Sequence, residues 1–240
     1  YCRFVLNDGV LTEQVKTLRH RLAELIALVP ANVLCESRDT MSDVGTMLSA
    51  PGEMQRGSTH EVARINFKRL QESLRSLEEF GKLIAPELAA GMETIRYRAY
   101  TLERATSIGR NARDFLEGAK LYVLLTGSQC LASLDWTIRE AAAGGAAIFQ
   151  LREKMLSDRD LIARARNVRQ WTSETGSLFI VNDRPDIARL VEADGVHLGQ
   201  DDMSACEARR ILGPGPLIGV STHNVDQVSQ AVMDGASYIG

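Results

Sequence analysis

The chain has 240 residues, 45% of them hydrophobic and 25% charged, with 28 Lys and Arg against 31 Asp and Glu. This globular composition excludes disorder as the main state and allows one large or two modest domains. The longest stretch without a charged side chain runs for 15 residues, Ile211 to Val225, and holds two prolines, short of the ~20 apolar residues that a membrane helix needs. Residues 1–118 carry 16 basic and 16 acidic side chains and residues 119–240 carry 12 and 15. Neither half has the positive excess that binding a phosphate backbone demands, so nucleic acid is not an expected partner. The four cysteines, Cys2, Cys35, Cys130 and Cys206, lie at least 33 positions apart, and no basic segment followed by an apolar run opens the chain. Free thiols in a reducing cytoplasmic setting are the expectation.

Up to about Gly118 the apolar residues recur at helical spacing. Leu11, Val15, Leu18, Leu22, Leu25 and Val29 form one stripe, Phe67, Leu70, Leu74, Leu77 and Phe80 a second, and Leu88, Met92, Ile95, Ala99 and Leu102 a third, predicting an all-α domain over 1–118. Between the first two stripes, Ser37 to Thr59 reads as a long loop with turns, and such loops are uncommon in compact domains unless they serve a function. Phe80-Gly-Lys-Leu-Ile beside Tyr1-Cys-Arg-Phe-Val, and Ile95-Arg-Tyr-Arg beside Leu18-Arg-His-Arg, suggest an internal repeat. On that alignment Tyr1 falls inside a helix, and the sequence is a fragment at its start.

After Gly118 short β-rich runs appear at 122–126, 147–151, 178–182, 195–199, 217–221 and from 238 onward. Helical patterns separate them at 134–143, 158–172, 185–192, 204–212 and 224–234, with Ser157, Ser204 and Asn224 as expected N-caps. Strand and helix in alternation predict right-handed βαβ units and a parallel sheet.

Ligands of parallel α/β folds bind beyond the carboxyl ends of the strands, and the polar residues collect there. Gln150-Leu-Arg-Glu-Lys154 follows the second strand, Asn182-Asp183-Arg184-Pro185 the third, Gly199-Gln200-Asp201-Asp202 the fourth and Ser221-Thr222-His223-Asn224 the fifth. A diphosphate with a divalent metal meets this pattern. Mg²⁺ favours one or two carboxylates, with waters and phosphate oxygens completing its octahedron, and Asp183 and Asp202 offer such a pair from adjacent strand ends. Arg152 brings a planar fork and Lys154, one of only five lysines, a point charge. Alternation puts Gln150, Arg152 and Lys154 on one side if the extended backbone continues. A lone Asp can also cap the next helix, and Asp201 and Asp202 exchange the roles of cap and ligand equally well. His197 lies mid-strand and reads as structural; His223, after a strand end, stays open. No P-loop, G-x-G-x-x-G, H-E-x-x-H or cysteine metal cluster occurs.

QLREK at Gln150, FIVNDRPDIA from Phe179, ADGVHLGQDDM from Ala193, IGVSTHN from Ile218 and the terminal GASYIG together closely resemble the thiamine-phosphate synthase family. The resemblance implies a partial TIM (β/α)8 barrel of about five and a half βα units over 119–240, cut after its sixth strand and without the thiazole-phosphate segments. It further implies condensation of hydroxymethylpyrimidine diphosphate with thiazole phosphate, releasing pyrophosphate. Carried over by position, Gln150, Leu151, Arg152, Glu153, Lys154, Asn182 and Ser221 bind the pyrimidine diphosphate, and Asp183 and Asp202 hold Mg²⁺. The first half, through YCRFVLND, LRHRLA, SRDTMSDVG and NFKRLQESLRSLEEF, resembles the helical domain assigned upstream of this synthase as a hydroxymethylpyrimidine-phosphate kinase. That implies ATP as a further substrate. Arg64, Lys68, Gln71 and Arg75 on one helix face, or Arg38, Asp39 and Asp43 in the long loop, suit phosphate or metal, while a solvated face and turn chemistry explain them as well. The alternative is a helical dimerisation module without catalysis, and a homo-oligomer is expected.

Overall fold

In the computed structural model, which describes residues 1–36, 41–42 and 55–240, the chain divides into two compact units, 1–106 and 107–240. The division falls earlier than the composition change at Gly118, because the last turns of one helix pack with the second unit.

The first unit is helical. It contains α1 (Gly9–Ile26), α2 (Ala31–Glu36), α3 (Thr59–Ile84) and the greater part of α4 (Pro86–Leu116). Asp8 starts α1 by accepting a hydrogen bond from the Leu11 amide at 2.8 Å, and Ser58 does the same for α3 from Glu61 at 3.1 Å. Leu25, Leu74, Leu88, Met92, Ile95 and Ala99 form the core, with Leu18, Leu22 and Leu70 against it, so the third stripe faces inward as predicted and the first does so except at Val15, which is exposed.

The second stripe does so only in part: Leu70 and Leu74 pack inward. Leu77 and Phe80 are exposed, whereas Gln71, Leu74, Glu78 and Gly81 are buried. Two physical causes rotate α3 away from its apolar stripe. A Cβ at Gly81 would lie 3.3 Å from the backbone of Ala89, so α4 approaches where α3 has no side chain. The polar residues on that face find partners on α4: Glu78 accepts from Arg96 Nε at 2.8 Å and Gln71 Nε2 donates to Glu103 at 2.7 Å. Residues 1–6 form a hydrogen-bonded turn, with the Val5 amide on the Tyr1 carbonyl at 2.9 Å. They are a turn and not a helix, whereas the second pair of the suggested repeat, at Leu18 and Ile95, lies on helices α1 and α4.

The second unit alternates β1 (Tyr122–Leu125), α5 (Leu134–Ala143), β2 (Ile148–Leu151), α6 (Asp158–Thr175), β3 (Leu178–Asn182), α7 (Pro185–Leu190), β4 (Gly195–Leu198), α8 (Ala205–Leu212), β5 (Leu217–Val220), α9 (Val225–Asp234) and β6 (Tyr238–Ile239). All pairings are parallel and the strand order is sequential. Ser157, Ser204 and Asn224 are the N-caps, with Ser204 and Glu207 closing a capping box. The sheet curls on itself: the hydroxyls of Tyr122 on β1 and Tyr238 on β6 lie 3.0 Å apart, although five strand spacings of ~4.8 Å separate those strands in a flat sheet. Sequential parallel strands, crossover helices and this curl are the architecture of a TIM barrel's first six strands.

Alternation sorts the side chains. Phe149, Leu151, Phe179, Val181, Val196, Leu198 and Ile218 point to the helices and form the main core. The opposite face stacks in register as Ile148 beside Leu178, then Gln150, Ile180, Gly195 and Leu217, then Asn182, His197, Gly219 and Tyr238. Below, Ala112 and Leu116 of α4 pack on Ile148, Ile180 and Leu217, so the end of α4 floors the interior. Phe149 is fully buried. Phe149→Ala should lower the stability of this unit by about 3–5 kcal/mol, the usual result of emptying an aromatic site, as measured by denaturant unfolding.

Candidate active site

The inward faces and the loops after the strands enclose a cavity of about 660 Å³ lined by Gln150, Arg152, Lys154, Asn182, Asp183, His197, Gly199 to Asp202, Ser221 and Tyr238, among others. Each strand's polar terminus contributes because the register brings the carboxyl ends level. Of the residues singled out in the sequence, Gln150, Arg152, Lys154, Asn182, Asp183, Asp202 and Ser221 meet here. Leu151 and Glu153 do not. Leu151 lies in the core under the helices, and Glu153 accepts from the Gly127 amide at 2.7 Å and from Arg164 Nη1 at 2.5 Å. Their side chains hold the loop instead of facing the cavity, as expected when backbone alternation continues past β2. His223 is not among the lining residues; its amide donates to Gln227 Oε1 at 2.7 Å.

Gln150 is only 3% exposed and its Nε2 donates to Asn182 Oδ1 at 2.9 Å. This fixes the Asn182 amide, leaving its NH₂ as a donor to the cavity. Asp183 adopts a left-handed backbone, φ 61°, a conformation uncommon outside glycine and held only by its surroundings. Two elements supply the hold. The Asp183 amide donates to the His197 carbonyl at 2.8 Å. Its neighbour Arg184 forks onto Asp186 at 2.7 and 3.0 Å and reaches Asp158 at the start of α6 at 2.6 Å. These two carboxylates raise the Arg184 pKa further and lock it charged.

Asp202 Oδ2 accepts from the Gly199 amide at 2.6 Å, and a Cβ at Gly199 would approach that oxygen to 3.0 Å. Neither Asp183 nor Asp202 caps a helix, since the N-caps of α7 and α8 are Arg184 and Ser204, which removes the capping explanation for both. Burial, and after it the hydrogen bond and charge of Asp202, raise the Asp183 pKa, with Lys154 and Arg152 acting in the opposite sense. Two carboxyls crowded together beside two cations are residues that would hold a divalent cation and an anion side by side. The described residues contain no group of three or more His, Cys, Asp or Glu able to hold a metal alone. The donors are all oxygen, and two carboxylates are what Mg²⁺ needs when ligand and water fill the rest.

His197, read in the sequence as structural, stands on the cavity wall. Its ring faces the cavity, its Nε2 is 3.0 Å from Ser221 Oγ and its Nδ1 is 3.3 Å from Tyr238 Oη. Burial lowers its pKa against the opposing charge of Asp202, which favours the neutral imidazole. Burial likewise pushes the Tyr122 phenol up to about 12 and raises that of Tyr238.

Comparison with known proteins places this geometry. Residues 121–240 match the family model described as thiamine monophosphate synthase. The chain belongs to the thiamine monophosphate synthase family. Residues 1–105 match the ThiD2 family. The thiamine-phosphate synthases of Nostoc sp. and Gloeobacter violaceus are each 42% identical over all 240 residues, which cover 66% and 68% of those proteins; the chain thus spans about two thirds of their length. A thiamine phosphate pyrophosphorylase from Pyrococcus furiosus is 37% identical over 51% of this chain and 59% of its own, with a TM-score of 0.47.

The crowded carboxyls yield a prediction. The side-chain carboxyl of Asp183, followed by carbon NMR, should titrate above the ordinary aspartate range, and Asp202→Asn should move that midpoint down. A wild-type midpoint at or below the ordinary range would contradict the described pairing.

Proposed function

We propose that the cavity binds a pyrimidine methyl diphosphate and joins its methylene carbon to the nitrogen of a thiazole phosphate, giving thiamine phosphate and pyrophosphate. The observation that carries this reading is the convergence of Arg152, Lys154, Asn182 and Ser221 beside the Asp183 and Asp202 pair in one cavity, within a chain of this family.

The thiazole nitrogen is itself the nucleophile, so the protein need not provide one. Its pair forms the new C–N bond as the C–O bond to the diphosphate breaks and that electron pair leaves on the phosphate oxygen. Arg152 and Lys154 stabilise the charge that develops there, as pre-positioned cations do most effectively. The Asn182 NH₂, oriented by Gln150, donates to the substrate, and the Ser221 hydroxyl to the diphosphate. Asp183 and Asp202 would hold Mg²⁺, which when bound neutralises diphosphate charge and improves the leaving group. The Arg184 clamp keeps Asp183 aimed while its charge changes surroundings.

The ThiD2 match over 1–105 supports a second reading, in which the helical unit phosphorylates hydroxymethylpyrimidine phosphate with ATP and so makes the synthase's substrate. Arg38, Asp39 and Asp43 lie outside the described residues. Arg64 and Lys68 are exposed, Arg75 pairs with Glu78 and Glu79, and Gln71 is internal, so that face is not one continuous phosphate site. No helix among the described residues is long and apolar enough to cross a membrane. A cytoplasmic homo-oligomer turning over small molecules suits the charge balance and the free Cys2, Cys130 and Cys206.

Asp183→Ala and Asp202→Ala in the full-length protein should each abolish thiamine phosphate formation while the circular dichroism spectrum is kept; near wild-type turnover in both would sink the metal assignment. Lys154→Ala should weaken pyrimidine diphosphate binding by about 1.5–3 kcal/mol, the range for a lost charge-assisted hydrogen bond, as read by calorimetry. For the helical unit, ADP formation from ATP and hydroxymethylpyrimidine phosphate should survive Asp202→Ala; its absence in wild type as well would favour the association module.

A further inference from the structure

Four side chains, three on β1, β4 and β6 and one just past β5, stand in a row along the cavity wall. Tyr122 Oη is 3.0 Å from Tyr238 Oη, which is 3.3 Å from His197 Nδ1, and His197 Nε2 is 3.0 Å from Ser221 Oγ. We propose that Tyr122, Tyr238 and His197 act together as positioning residues that orient the Ser221 proton, so that this hydroxyl donates into the cavity toward an anionic oxygen. The inference rests on the reading of Ser221 as a ligand of the diphosphate.

A neutral imidazole carries one N–H and one lone pair, so the row can run in two senses. In the first, Tyr122 donates to Tyr238, Tyr238 to Nδ1, and Nε2–H to Ser221 Oγ. The serine proton is then free to point into the cavity. In the second, Ser221 donates to Nε2, Nδ1–H to Tyr238, and Tyr238 to Tyr122. Ser221 then presents only lone pairs, which repel a diphosphate.

Three features select the first sense. The strongest neutral pairing in the row is a phenol O–H donating to an imidazole lone pair, because a phenol oxygen shares its electrons with the ring and accepts poorly. In the second sense the Tyr122 proton ends the row, and the described residues give that hydroxyl no hydrogen-bond partner other than Tyr238. A half-buried donor without a protein acceptor is the more costly orphan. Neither ring nitrogen is hydrogen-bonded to a carboxylate in the structure, so no charge reverses the order. Space is reserved for the row as well: a Cβ at Gly219, between His197 and Tyr238 in the register, would fall 2.2 Å from Tyr238 Cζ and 2.4 Å from His197 Nδ1.

The test uses full-length protein labelled with ¹⁵N at histidine. Two-bond proton–nitrogen correlation spectra of wild type should report His197 as the Nε2–H tautomer. Tyr238→Phe keeps the ring but removes the donor to Nδ1, and the Nδ1–H form should become populated. Binding of inorganic pyrophosphate with Mg²⁺, measured by calorimetry, should weaken about fivefold to tenfold in that variant, the scale of one lost hydrogen bond. Tyr122→Phe should act in the same direction and more weakly. In a Ser221→Ala background Tyr238→Phe should change pyrophosphate affinity little, because no hydroxyl remains to orient. An Nδ1–H tautomer in wild type, or an undiminished Tyr238→Phe effect without Ser221, overturns the inference. Wild-type protein that binds no pyrophosphate overturns the proposed function, and the tautomer still reports the sense of the row.

Discussion

The lateral register of the parallel sheet is the constraint from which the site follows. Each strand presents alternate residues to helices and to interior, so a slip of one residue in a single strand would send its polar members into the apolar core and its core residues into the cavity. The register is pinned from both sides. Phe149, Phe179, Val196 and Ile218 demand the helix-covered face, while Gly195 admits a close approach that any side chain would bar: a Cβ there would fall 2.4 Å from the Leu217 carbonyl oxygen. Gln150, Asn182 and His197 reach the cavity as a consequence of those apolar choices.

On that frame the site is built from support as much as from donors. Asp183 sits in a backbone conformation it would not choose, and Arg184, Asp158 and Asp186 on neighbouring helices hold it there. Gln150 turns Asn182, Gly199 brings Asp202 back over its own amide, and Glu153 ties the loop after β2 to Gly127 and Arg164. The sequence run Gln150 to Lys154 thus alternates between cavity-facing and scaffold-facing side chains, and Glu153 steadies the loop that carries the cavity-facing set.

The second unit was largely legible in its residues because its signals are local. Short apolar runs, serine and asparagine caps and the polar strand ends required nothing from distant parts of the chain, and the strands lie within a residue or so of their predicted positions. What escaped was non-local. Tyr122 and Tyr238 are 116 positions apart, and only the curl of the sheet makes them neighbours. His197 looked like a core residue since mid-strand position says nothing about which face a half-buried ring takes. In the helical unit, hydrophobic periodicity held only in part on α3 because the buried face is partly polar: Glu78 and Gln71 are satisfied by Arg96 and Glu103, an arrangement that an apolar stripe cannot announce.

The seating of Ala112 and Leu116 beneath Ile148, Ile180 and Leu217 bears on how the chain can be divided. A gene cut at the compositional change after Gly118 would hand the barrel residues to one polypeptide and their floor to the other. The interior would then open to water at the end opposite the cavity, and the apolar residues left bare there would favour association. A separation that respects the packing leaves residues from Ser107 onward with the barrel, so that the same helix is shared between the two products and neither inherits it whole.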